Sequence, residues 1–283
     1  MINENIKEII GKEYKCLNKG FVRLIDIMGD DSSIVQAARV SYGKGTKSVN
    51  EDLSLINYLM RNRHTSPFEM VELKFHIKLP IFVARQWIRH RTANVNEYSG
   101  RYSEMKNEFY IPESEQLRLQ SAINKQGRSE ELVDNETSDT VIEQMKNTQE
   151  FLFTEYENFL DKKIAREIAR INLPLSTYTE WYWKIDLHNL FHFLELRLDH
   201  HAQYEIRVYG EVIADILKLA VPYAYTAFED YMLNSVNLSK KELTALKEII
   251  SFDKFDQINF DSHRLKGREL SEFKEKIKKI INI

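Results

Sequence analysis

From Met70 to Leu79 apolar and polar residues alternate. Val71, Leu73, Phe75, Ile77 and Leu79 are separated by Glu72, Lys74, His76 and Lys78. A period of two places every apolar side chain on one face and predicts a half-buried strand. Pro80 then suits the first position of a helix running through Ile81, Phe82, Trp87 and Ile88. Segment 176–185, Ser-Thr-Tyr-Thr-Glu-Trp-Tyr-Trp-Lys-Ile, is rich in β-branched and aromatic residues and predicts a second strand; Phe21 to Met28 predicts a third. Helices are expected over 33–42, 51–62, 137–171, 187–199 and 202–220. Pro222 limits the last of these, and a short helix follows to about 233. Strands interspersed irregularly with long helices predict an α+β fold, a small, largely antiparallel sheet packed with long helices. Residues 113–136 are polar and carry Gly127, Ser129 and Asn135; they are expected to form an exposed, partly helical excursion. The character changes at Asn234. Ser239-Lys240-Lys241-Glu242 is a capping box, and Leu270, Phe273, Ile277 and Ile280 line one face of a later helix. The expected organisation is a domain over 1–233 and a Lys-rich helical tail over 234–283, read as a surface appendage.

Composition narrows the class. The 283 residues are 43% hydrophobic and 11% aromatic, which suffices for a substantial core. A net charge of −3 argues against a general polyanion binder, so any basic site must be local. The single cysteine, Cys16, excludes an internal disulfide and fits a reducing compartment. No apolar run reaches membrane-spanning length and the N-terminus is unlike a signal peptide, so the expected location is the cytoplasm. Cys16 has no Gly-rich elbow or nearby histidine to lower its pKa, so it reads as structural and catalysis is expected to need no thiolate.

Chemistry concentrates in two blocks. The first runs from Gln86 to Tyr102 and contains Arg89-His90-Arg91, Asn94, Asn96, Glu97, Ser99, Gly100 and Arg101. Guanidinium forks fit phosphate and carboxylate oxygens, and Asn, Gln and Ser add neutral directional bonds. The mixture suits a ligand with an anionic group and a polar ring. A plainer account is that cations at a helix end cap its carbonyls. The second block runs from Asp186 to Glu205. Asp186 is a candidate N-cap, and His188, His192 and Glu195 share one side of the following helix. Histidines four apart can bind a metal, yet neither H-E-x-x-H nor a second carboxylate–histidine repeat occurs, and the reading preferred over a metal site is polar helix residues bonded to a neighbouring chain or loop. Arg197 and Arg170 each need a partner or a ligand if buried. Neither G-x-G-x-x-G nor G-x-x-x-x-G-K-[ST] is present among only nine glycines, which argues against a Rossmann fold or a P-loop.

Taken together, these residues resemble the flavin-dependent thymidylate synthases. Arg89-His90-Arg91 with seven residues before Ser99 is similar to the family's R-H-R-x7-S signature. His64-Thr65-Ser66-Pro67-Phe68-Glu69 resembles its H-x-[ST]-P-F-E segment, and Asn96 to Tyr102 its N-E-x-S-x-R-Y continuation. Leu196-Arg197 with His201-Ala202-Gln203-Tyr204-Glu205-Ile206 resembles its L-R-x3-H-A-Q-x-E-I segment. The resemblance covers roughly residues 15–233. It implies a homotetramer with shared sites that makes dTMP from dUMP, with FAD as cofactor, methylene-tetrahydrofolate as carbon donor and NADPH as reductant. It further implies that Gln86, Arg89, Glu97, Tyr98, Ser99, Gly100, Arg101, Arg170 and Arg197 hold dUMP. Arg170 would reach its phosphate, and Arg197 would sit against the uracil as the catalytic cation. Ser66, Arg89, His90, Arg91, Glu97, Asp186, His188 and His192 would face FAD, and His64 would lie near the flavin ring and the folate. No metal is implied. The sequence departs from the common pattern at Asp186, where Asn is usual, at His188, where Arg is usual, at His192, often Asn, and at Ala93, where Ser is common. Two rival functions come from other classes. One is a metal-dependent nucleotide phosphohydrolase using His188, His192, Asp199 and His200; the other is an RNA-binding module using Arg85 to Tyr102.

Overall fold

The structure, a computed structural model, describes residues 4–40, 49–123, 125–248, 258–263 and 265–281. The chain divides into two compact units, Met1–Leu233 and Asn234–Ile283.

In the first unit a five-stranded antiparallel sheet has the order β1-β2-β3-β7-β4. Its strands are β1 (Glu13–Cys16), β2 (Gly20–Met28), β3 (Glu72–Pro80), β4 (Asn94–Glu97) and β7 (Tyr178–Asp186). The expected alternation is realised in β3, where Leu73, Phe75, Ile77 and Leu79 are all fully buried. The register sets Leu73 opposite Ile185, Phe75 opposite Trp183 and Ile77 opposite Trp181, so apolar side chains meet across the strands. Lys78 departs from the polar-out pattern. It is buried and pairs with Glu108 at 2.6 Å, which supplies the partner a buried cation requires.

The helices of this unit are α1 (Glu4–Ile9), α2 (Asp31–Arg39), α3 (Val49–Arg61), α4 (Ile81–Trp87), α5 (Asn135–Asp161), α6 (Arg166–Ala169), α7 (Leu187–Arg197), α8 (Tyr204–Ala220) and α9 (Pro222–Phe228). The α+β expectation holds, with an antiparallel sheet and long helices. The end of the helix expected over 33–42 falls at residues 41–42, outside the described residues. Asp31 accepts from the backbone N–H groups of Tyr223 (3.0 Å) and Ala224 (2.9 Å), so the start of α2 caps α9.

Three expectations need correction. The helix expected over 137–171 ends at Asp161, because Lys163 turns left-handed (φ 59°) and the chain restarts as α6 and a 3-10 turn, Arg170–Asn172. The excursion at 113–136 is helical only at a 3-10 turn and at the first residues of α5; its centre is a hairpin of β5 (Arg118–Gln120) and β6 (Arg128–Leu132). Strands β1 and β4 were not expected at all.

The second unit contains α10 (Lys240–Lys247) and α11 (Gly267–Ile281). The Ser239–Glu242 capping box is formed in both directions, with Ser239 N donating to Glu242 Oε2 at 2.7 Å. Ile277 is buried, and Phe273 packs edge-on to Phe260 with centroids 6.2 Å apart. Among the described residues no helix is long and apolar enough to cross a membrane.

Candidate active site

Trp87, the last residue of α4, is fully buried among Trp181, Trp183, Phe193 and Tyr209, with centroids 5.8, 5.1, 4.6 and 6.0 Å away. The backbone therefore leaves the core at a fixed point. Ile88, Arg89 and Arg91 emerge exposed while His90 stays half-buried. β4 then pairs with the edge of β7, with Asn96 opposite Tyr182 and Glu97 opposite Trp181. Tyr98 continues the edge, its N–H donating to Glu180 O at 2.8 Å. Thr179 Oγ1 donates to the Glu97 carboxylate at 2.8 Å, and the Tyr98 hydroxyl donates to the Glu104 carbonyl.

The next turn gathers four of the expected residues. Ser99 O accepts from Tyr102 N and Ser103 N, both at 3.1 Å, and Ser99 Oγ accepts from Arg101 N at 3.3 Å. Gly100 is buried beneath the Arg170 side chain, and Arg101 pairs with Glu167 at 3.1 Å. Ser99, Gly100, Arg101 and Arg170 thus form one cluster.

A second cluster lies at α7. Asp186 caps the helix, its carboxylate accepting from Asn189 N (2.9 Å) and Asn189 Nδ2 (2.7 Å). At the other end Arg197 donates through Nε (3.1 Å) and Nη2 (2.9 Å) to His90 Nε2. A guanidinium has no acceptor, so Nε2 must be unprotonated. Burial, then Arg197 and then His192, push the His90 pKa down to about 4, which keeps the ring neutral. Burial also lowers the Arg197 pKa. The half-buried Arg197 charge therefore rests on a neutral ring, with no carboxylate paired to it among the described residues.

His90 lies 4.9 Å from Phe193 and 6.1 Å from His192, while His192 pairs with Glu195 at 3.7 Å. His188 is half-buried on the same helix. The His64–Ser66 segment joins α7 through Phe68, whose ring is 6.5 Å from Phe191. His64 itself stacks on Tyr58 at 5.7 Å, and Ser66 is exposed. Among the described residues Arg89 and Arg91 have no ion-pair partner, and no hydrogen bond or ion pair joins the Arg170 cluster to the Arg197–His90 pair.

Other candidates fall elsewhere. Asp199, His200 and His201 gather exposed ligand atoms, but His188 and His192 are not among them. Asp199 Oδ1 is already engaged by His201 N at 2.7 Å, which holds that carboxyl below its ordinary pKa. Cys16 is buried, and burial pushes its thiol up to about 12, as expected of a structural cysteine. One contact was not anticipated: Gln86 Nε2 donates to Gln203 Oε1, tying the end of α4 to the start of α8. The His201–Ile206 block was the available signal, although no role had been read from it.

The family model described as "Thymidylate synthase complementing protein" matches residues 23–223, and that described as "Thymidylate synthase ThyX C-terminal domain" matches 236–283. The flavin-dependent thymidylate synthase of Treponema denticola is 58% identical over 94% of this chain and 97% of its own length. That of Wolbachia pipientis wMel is 55% identical over 96% and 94%. Among solved structures, the UMP/dUMP methylase PolB from Streptomyces cacaoi bound with 5-Br dUMP is similar at a TM-score of 0.71 and 32% identity. The match covers 79% of this chain and 100% of that one.

Proposed function

This chain belongs to the flavin-dependent thymidylate synthase family, and on that premise we propose that it converts dUMP to dTMP by reductive methylation. FAD is the cofactor, methylene-tetrahydrofolate the carbon donor and NADPH the reductant. The observation that carries the reading is the pairing of Arg197 with a neutral His90. A uracil ring resists attack at C5 unless its electron density is raised. A cation that is fixed, partly desolvated and, among the described residues, not neutralised by a carboxylate stabilises negative charge at N3 and the carbonyl oxygens without reorganising. Cys16 is too buried and too weakly acidic to add at C6, so activation falls to Arg197.

The dUMP cradle comprises Gln86, Arg89, Glu97, Tyr98, Ser99, Gly100, Arg101, Arg170 and Arg197. Arg170, packed on Gly100, reaches the phosphate, and Ser99 positions the nucleotide without forming a covalent bond to it. The residues also fit a flavin dinucleotide. Arg89 and Arg91 are exposed cations with no ion-pair partner among the described residues, which suits a diphosphate. His90, His188, His192, Ser66, Glu97 and Asp186 complete that set, with His64 beside the flavin ring and the folate. FAD, once reduced by NADPH, would pass the reducing equivalents on to the methylation. The homotetramer with shared sites is consistent with the lack, among the described residues, of any hydrogen bond or ion pair joining the Arg170 cluster to the Arg197–His90 pair.

The test is dTMP formation from dUMP with FAD, methylene-tetrahydrofolate and NADPH. Arg197→Ala should lose about 10²–10³ in rate while keeping its flavin absorbance, and Arg197→Lys should recover little because the fork is gone. Ser99→Ala should need more dUMP yet turn over at saturation. If Ser99→Ala is dead at saturating dUMP and Arg197→Ala is nearly normal, the roles are reversed. A wild type that holds no flavin and makes no dTMP overturns the proposal.

A further inference from the structure

Glu205 is 4% exposed and accepts from three donors. Tyr110 Oη donates to Oε1 at 3.0 Å, Arg128 Nη2 spans Oε1 (2.6 Å) and Oε2 (2.5 Å), and Gln203 Nε2 donates to Oε2 at 2.8 Å. Arg128 comes from β6 of the hairpin and is itself held by the Gln116 carbonyl at 2.9 Å. A carboxylate offers only acceptors, so Gln203 must turn its amide nitrogen toward Glu205 and its oxygen outward. That oxygen accepts from Gln86 Nε2. Gln86 is then also oriented: one N–H of its amide is committed to Gln203, and its Oε1 is left without a partner among the described residues.

We propose that Arg128, Glu205 and Gln203 are positioning residues that set the polarity of Gln86, so that it offers the nucleotide an acceptor. The inference rests on the reading of Gln86 as part of the dUMP cradle. A phosphate carries no donor to meet Gln86 Oε1, and Arg197 favours an unprotonated N3, so the partner is the remaining donor of the nucleoside, the sugar 3′-hydroxyl. The hairpin thereby acquires a task that its polar composition did not suggest. Its arginine stabilises the buried carboxylate from which the relay takes its direction, and a charge-assisted bond is stronger than a neutral one.

Glu205→Gln keeps the volume of the side chain but can present either an oxygen or a nitrogen to Gln203, so the direction of the relay is lost. In the flavin-loaded enzyme its dUMP dissociation constant should rise on the order of tenfold, the worth of one hydrogen bond, with turnover at saturating dUMP within about twofold. Arg128→Met should weaken dUMP in the same sense, and Arg128→Lys should restore part of the loss. A double-mutant cycle separates positioning from loss of folding. In a Gln86→Ala background, Glu205→Gln should change dUMP affinity by less than about twofold, whereas a general structural defect would persist. Thermal melting and flavin occupancy verify that each variant is folded. Repeating the cycle with 2′,3′-dideoxyuridine monophosphate locates the donor. Coupling that disappears places it on the sugar and supports the relay, whereas coupling that remains overturns the 3′-hydroxyl as the partner of Gln86. If wild type binds dUMP and Glu205→Gln binds it as tightly, or if the Glu205→Gln loss survives in Gln86→Ala, the relay is overturned alone. A wild type that binds no dUMP overturns the functional reading together with it.

Discussion

A Cβ placed on Gly100 would lie 2.8 Å from Met105 Sδ and 3.0 Å from Arg170 Cδ. Both neighbours are flexible side chains, so the backbone can survive the substitution while Arg170 moves. Gly100→Ala should therefore fold with near-normal stability and show a raised KM for dUMP, measured by steady-state kinetics beside a thermal melt. An unchanged KM would separate Arg170 from the nucleotide. His90 makes a pH prediction. Its folded pKa of about 4 lies below the ordinary 6.5, so between those values the unfolded chain binds more protons than the folded one. The contribution of His90 to stability is thus fully present above pH 6.5 and is lost as pH falls toward 4. Urea unfolding from pH 7 to 4.5 should show a shallower decline for His90→Gln, which keeps an acceptor for Arg197 but does not titrate. The residue types at these sites were legible in the sequence, since Arg-His-Arg, Ser99 and Arg197 stand out by chemistry and spacing. The partnership of Arg197 with His90 was not, because it joins residues 107 positions apart through tertiary packing.

The ends of elements decide where these side chains sit. Asp186 closes β7 and opens α7, accepting from Asn189 N at 2.9 Å. Asp186→Ala should cost about 1 kcal/mol by removing the cap, and Asp186→Asn should cost little because Asn caps as well. Chemical denaturation of both variants tests this; equal losses would mean that the carboxylate charge matters beyond the cap. The Asp186 cap and the β3 alternation were readable because each is local. β4 was not: Asn94–Glu97 is short, polar and exposed throughout, and it is a strand because the edge of β7 offers it hydrogen bonds. The break after α5 was hidden for another reason. Lys162-Lys163-Ile164-Ala165 contains neither Gly nor Pro, yet Lys163 adopts the left-handed conformation that ends the helix. The β5–β6 hairpin is anchored by a distant carboxylate, a constraint with no signature in its own segment.

At the scale of the molecule, the faces around the candidate site carry uncovered apolar side chains. Ile88, Val95, Tyr182 and Leu196 are 49%, 37%, 46% and 46% exposed. Such groups beside two incomplete clusters are what the proposed shared-site tetramer would cover. Light scattering should give the mass of four chains, and dilution below the assembly's dissociation range should release the flavin. A stable monomer that holds FAD tightly would exclude a shared site. A change of composition near Asn234 was legible in the sequence, whereas a pairing of chains would leave only this scatter of exposed apolar residues. The lone thiol has a use of its own at this scale. Cys16 ends β1 at the sheet margin, and α8 packs against that strand. A thiol shielded from solvent and held largely protonated reacts with an alkylating reagent only when the surrounding structure opens. The rate at which unaltered protein takes up such a label is therefore a clock for breathing at that margin, read from a single atom without introducing any probe.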